Sequence, residues 1–197
     1  MATKNTGSGF SLVELLIVIT IIGIMMVLAI PASSNLVSAQ RITQATQAVV
    51  DEVNFCRQTA SSKNAMVELC FVQALGENVY SGVASRLIHG DGTVTWQKKI
   101  AWFPAGVVLS SDSDFTNLLT VTTSTFAAPF PRTLSNTYIS VNIRPNGELN
   151  PITGRPTPDQ WFVTVVLQRD AQKAGTPKNY AVVQIDPLTA RTTVLRP

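Results

Sequence analysis

The chain has 197 residues, 45% of them hydrophobic and only 14% charged, with a net charge of +3. The charged share is well below the usual quarter, and so mild a positive excess does not argue for a nucleic-acid protein. Two cysteines, Cys56 and Cys70, are too few for a disulfide framework and show no metal-binding spacing. Free thiols are expected; a single bridge closing a loop of 14 positions (56 to 70) is the alternative, and could add ~3 kcal/mol.

Residues 1–9 form a short polar leader, with Lys4 as its one side-chain cation. An apolar run of 21 residues follows, Phe10 to Ile30. As a helix it measures ~31 Å, about one hydrocarbon thickness. A secretory signal has a shorter apolar region before a small-residue cleavage site, which "AIPAS" (29–33) imitates. A plain signal-anchor is the other simple reading.

Glu14 separates these readings. A carboxylate inside a spanning helix costs ~2.5–3.5 kcal/mol on insertion scales, and a plain anchor gains nothing from it. Cleavage between Gly9 and Phe10 would create an α-ammonium at Phe10. Residues i and i+4 share a helix face, so Glu14 could pair with that ammonium, or with one on a neighbouring copy. The acid would then pin the register between packed helices.

"GFSLVEL" (9–15), followed by the apolar run and Pro31, resembles the type IV pilin signature: a Gly–Phe junction with Glu at the fifth mature position. The resemblance covers residues 9–31. It implies cleavage after Gly9 by prepilin peptidase and methylation of the Phe10 amine to N-methylphenylalanine. It further implies filament docking through Glu14 and Pro31. Family leaders often carry Lys or Arg just before the glycine; here Ser8 stands there.

Beyond the run, Pro31 lacks an N–H and predicts a kink or local break. Helical pattern resumes in residues 32–63. Ile42, Ala45, Val49, Val53, Cys56 and Ala60 recur at spacings of 3 and 4, opposite Gln40, Arg41, Gln44, Gln47, Asp51 and Asn54. Residues 10–62 could form one helix of ~80 Å. Ser61-Ser62-Lys63-Asn64 ends it, and residues 64–197 read as a β-rich domain with no repeat.

The expected strands are 66–72, 94–103, 138–144 with Ile139, Val141 and Ile143 inward, 161–169, 180–186 and 191–196. "PNG" (145–147) marks a turn and "PLTA" (187–190) a hairpin. Residues 110–137 and 148–160 read as loops. The fold class is α+β: a long N-terminal helix, one half for membrane or filament and one half amphipathic, packed on an antiparallel sheet.

"FCRQTASSKNAMVELCF" (55–71) resembles the helix-to-strand junction of GspH/FimT-like minor pseudopilins and minor pilins, through Arg57, Ala60, Val67, Leu69 and Phe71. Cys56 replaces the small residue there. "FPAGVVL", "NIRPNGEL" and the C-terminal stretch are similar to pseudopilin-like proteins of the Verru_Chthon cassette D type. The resemblance implies a pilin fold and a subunit of a type IV pilus or a type II secretion pseudopilus. It also implies other pilin or pseudopilin subunits, prepilin peptidase and an inner-membrane assembly platform as partners. The implied location is the inner membrane, single-pass with the C-terminal domain outside the cytoplasm, and then the filament.

No chemistry is legible in the domain. His89, the single histidine, sits in a turn, and no GxSxG or HExxH occurs. Asp112-Ser113-Asp114 could contribute oxygens to calcium but lacks the later ligands of an EF-hand loop. Glu148, Asp159 and Asp170 show no motif spacing. We therefore expect no catalytic residue, no metal and no cofactor. The cations are dispersed, with Lys98-Lys99 the one adjacent pair and Lys173, Lys178, Arg191 and Arg196 clustered near the C-terminus. The alternative function is a pilus-associated module that binds DNA or a surface; a cation stripe that binds DNA would show steep salt dependence.

Overall fold

The computed structural model describes residues 10–74, 79–120, 124–125, 134–149, 161–171, 176–177 and 179–196. Side chains are described for these except residues 27–35, 120, 124–125 and 134–136. The chain divides into two compact units, Met1–Ser38 and Ala39–Pro197.

Helix α1 runs from Leu12 to Lys63. It is helical through Pro31, so of the kink or local break expected there the break is absent. A proline removes one i→i−4 bond, and the neighbouring turns keep theirs. Its end is built as a Schellman motif. Asn64 takes the left-handed conformation (φ 47°), and the Ala65 N–H reaches back to the Ala60 carbonyl at 3.2 Å. Asparagine tolerates that backbone better than most side chains.

The second unit is a ten-stranded antiparallel sheet. Its strands are β1 (Met66–Ala74), β2 (Tyr80–Ile88), β3 (Val94–Trp96), β4 (Ala101–Trp102), β5 (Val107–Leu109), β6 (Ser124–Thr125), β7 (Leu134–Ile143), β8 (Trp161–Leu167), β9 (Tyr180–Ile185) and β10 (Thr192–Leu195). The order across the sheet is β10-β9-β8-β5-β2-β1-β7-β6, with β3 and β4 on β2. The helix stripe Ile42, Ala45, Val49, Val53, Cys56 and Ala60 is buried against Leu69, Phe71, Val83, Ile139, Val163 and Val183. Burying a side chain the size of Phe71 is worth ~1.5–3 kcal/mol.

Three readings of the sequence are corrected here. β2 was not expected; its Ser81, Gly82, Ala84 and Ser85 hide the strand pattern. Gly82 is small because Trp102 lies on it: a Cβ there would meet the indole Cε3 at 2.8 Å. Residues 94–103 are not one strand but two, β3 and β4, parted where Lys98 turns away. Residues 110–137 are not all loop, since β7 starts at Leu134 and a 3-10 turn spans Leu118–Thr120. The described part of the expected 148–160 loop is confined to Glu148 and Leu149.

Segment 110–117 is fastened to β8. Ser110 N–H donates to the Thr164 carbonyl at 2.8 Å, Thr164 N–H to Thr116 Oγ1 at 3.2 Å and Phe162 N–H to Asn117 Oδ1 at 2.8 Å. The "PNG" turn forms as read, with Gly147 at φ 88° and the Thr189 carbonyl 3.3 Å from where a Cβ would stand.

The two thiols are free and buried. Cys56 lies between helix and sheet, whereas Cys70 belongs to a cluster with Val72, Ala84 and Tyr138 on the other face of β1. The sheet itself stands between them, and a bridge needs Cα atoms within ~7 Å and converging Cβ vectors. Burial holds both thiols well above their ordinary pKa. The native chain should therefore resist iodoacetamide and take two adducts once denatured without reductant; mass spectrometry showing none after denaturation would reveal a bridge.

Candidate functional site

The first unit presents its apolar residues outward. Phe10, Leu12, Val13, Leu15, Leu16, Ile17 and their successors to Met26 are all exposed, Phe10 at 79%. An apolar helix with no face turned inward is a surface awaiting lipid or other helices. Among the described residues no helix is long and apolar enough to cross a membrane. The side chains of residues 27–35, where the apolar run ends, lie outside the described residues, as do Gly9 and the ring of Pro31.

Glu14 has local work in this helix. Ser11 is the N-cap: its Oγ accepts the Glu14 N–H at 3.2 Å. Glu14 Oε2 in turn accepts the Ser11 N–H at 3.3 Å. This is a capping box, worth about 1 kcal/mol at the cap. Ser11-x-x-Glu14 was the sequence signal for it. A carboxylate in the first turn also meets the positive end of the helix dipole. Deeper in the run, Thr20 Oγ1 donates to the Leu16 carbonyl at 2.7 Å, so its hydroxyl proton has a partner within the helix.

The second unit holds a buried ion pair that the sequence reading missed. Glu52 is 1% exposed on the core side of α1. Lys98 Nζ reaches it at 2.6 Å and lies 4.2 Å from the centre of the Phe55 ring. Glu52 Oε1 has no hydrogen-bond partner among the described residues. The sequence signal was an acid three residues after Val49 and four before Cys56, on the apolar stripe. On the opposite face of the sheet, Arg86 bonds Glu68 and the Tyr138 hydroxyl at 2.7 Å, stacked between the Trp96 and Tyr138 rings.

The other singled-out residues take structural parts. His89 is exposed, with Nε2 2.9 Å from Thr95 Oγ1. Asp112 Oδ1 accepts the Asp114 N–H at 3.0 Å, closing a turn. Glu148 pairs with Arg144 at 3.0 Å, and Asp170 with Arg169 at 3.7 Å. Asp186 caps the β9–β10 turn, and hydrogen bonds from Thr189 hold its carboxyl below the usual range. No group of three metal-ligating side chains occurs among the described residues. Of the expected C-terminal cation cluster, Arg191 and Arg196 are exposed, while Lys173, Lys178 and also Asp159 lie outside the described residues.

Residues 4–30 match the family model of the prokaryotic N-terminal methylation motif. The match overlaps residues 9–31, the segment that carries the resemblance to type IV pilins. No curated protein matches the chain. Among solved structures, the type IV minor pilin FimU of Pseudomonas aeruginosa is similar at 13% identity, covering 80% of this chain and 93% of that one, with a TM-score of 0.49. A likeness of that size carries no inference about function.

Proposed function

We propose that this chain is a minor pilin or pseudopilin subunit. Its precursor is held in the inner membrane by the run from Phe10 to Ile30, with the C-terminal domain outside the cytoplasm. Prepilin peptidase removes residues 1–9, the Phe10 amine is methylated, and the helix docks into a type IV pilus-like or type II secretion filament. One observation carries the reading: a methylation motif over residues 4–30, on a segment whose large apolar side chains from Phe10 to Met26 are exposed.

The physical logic is economical. A helix that is apolar all round is soluble in lipid and equally able to pack among copies of itself. Direction and register then need a polar mark, and Glu14 at the helix start supplies one. The work is assembly rather than catalysis. In this proposal residues 1–9 are the leader, 10–31 the anchor and filament-core helix, 32–63 the amphipathic helix that continues into the domain, and 64–197 the β-rich domain.

Processing is directly testable. Mass spectrometry of the mature chain should find an N-terminus at Phe10 carrying one methyl group. A chain starting at Met1, or near Ala32, would overturn the proposal.

A further inference from the structure

We infer that the outer edge of β10 is a strand-addition site for an extended, acid-flanked segment of another protein. β10 is the last strand of the sheet, and among the described residues only β9 pairs with it. A free strand edge is a row of unpaired N–H and C=O groups that a partner can complete. Natural edges are usually blunted by a charge or a proline within the strand, but Thr192–Leu195 contains neither. Val194 lies opposite Val183 in the ladder, on the core face of the sheet. Val183 is fully buried there, while Val194 is 41% exposed. Among the described residues the core face therefore runs out under β10 with Val194 partly uncovered.

Charge identifies the occupant. Arg191 and Arg196 bracket the strand, and neither has a carboxylate within ion-pair distance among the described residues. Arg191 also lines two adjoining grooves, of about 620 and 340 Å³. The larger adds Arg57 and no carboxylate. The smaller holds Asp186, whose Oδ1 accepts from Leu188 and Thr189 and whose charge attracts Arg191 without forming an ion pair with it. A second copy of this strand, paired antiparallel about its centre, would set Arg191 against Arg196, and like charges directly opposite destabilise a ladder. The complementary partner carries acids five positions apart (191 to 196) with four β-favouring residues between them. In either strand direction its acids fall opposite the two arginines.

The inference concerns the second unit alone and is independent of the fate of Phe10. The test uses the full-length chain in detergent micelles and the peptide Glu-Val-Thr-Val-Thr-Glu. Amide hydrogen exchange at Thr192–Leu195 should slow about tenfold at saturating peptide. Arg196→Glu, which leaves the Asp186 turn untouched, should weaken that peptide roughly two- to fivefold and favour instead a peptide with one acid exchanged for lysine, Lys-Val-Thr-Val-Thr-Glu for antiparallel or Glu-Val-Thr-Val-Thr-Lys for parallel addition. Equal binding of Glu-Gly-Pro-Gly-Pro-Glu or of oligothymidylate would overturn the inference in favour of a simple polyanion site. Protection of Thr192–Leu195 without peptide, through self-association, would overturn it in favour of a second copy. No protection under any condition overturns it outright.

Discussion

Replacing Lys98 with methionine should destabilise the Ala39–Pro197 unit by about 3 kcal/mol. Glu52 is the most deeply buried charge among the described residues, at 1% exposure, and Lys98 is its one ion-pair partner there. Taking Lys98 away leaves a carboxylate in the core with nothing to compensate it. The value sits at the low end for a broken buried pair because the Lys98 side chain is itself 37% exposed, and water can follow where it left. The double variant Glu52→Leu with Lys98→Met should recover most of the loss, since an apolar pair of similar volume removes the desolvation cost. Thermal melts of the full chain in detergent, followed by near-UV circular dichroism, measure both. A Lys98→Met melt equal to wild type would show that Glu52 has another source of compensation.

Glu14→Gln should leave the helix start intact and still abolish incorporation into filaments. Glutamine serves as well as glutamate in a capping box, so the bonds between residues 11 and 14 can be kept while the charge is lost. Bilayer insertion becomes easier, because a buried acid has been removed. Docking becomes harder: an ammonium left unpaired among packed helices costs ~3 kcal/mol or more, roughly a hundredfold in equilibrium. Ser11→Ala is the matched contrast. It breaks the cap, at about 1 kcal/mol, and keeps the charge, so its assembly defect should be far smaller. Membrane level, cleavage at Phe10 and incorporation are to be measured separately for both variants. Normal incorporation of Glu14→Gln would remove the charge from the docking mechanism and leave Glu14 as a helix cap.

Periodicity made much of this fold legible. The six-residue helix stripe is buried as its spacing requires, and Ile139, Val141 and Ile143 point inward as their alternation requires. What escaped was whatever tertiary contact dictates. β2 looks like a loop in sequence because Gly82 makes room for an indole that arrives from twenty residues later. "VTWQKKIAW" looks like one strand because no local pattern records that Lys98 leaves the ladder for Glu52. At the N-terminal site the motif was plain. The second use of Glu14, inside a capping box with Ser11, was present in the letters but overshadowed by the question of its charge.

The fastening of segment 110–117 to β8 has a practical consequence. Both its ends are tied independently, Ser110 on one side and Thr116 with Asn117 on the other. Ser113 stands exposed between them. A short peptide tag inserted at that tip would lengthen a closed loop without opening the ladder, at a modest entropic cost. Such a tag would mark the protein without touching the apolar helix, the buried ion pair or β10.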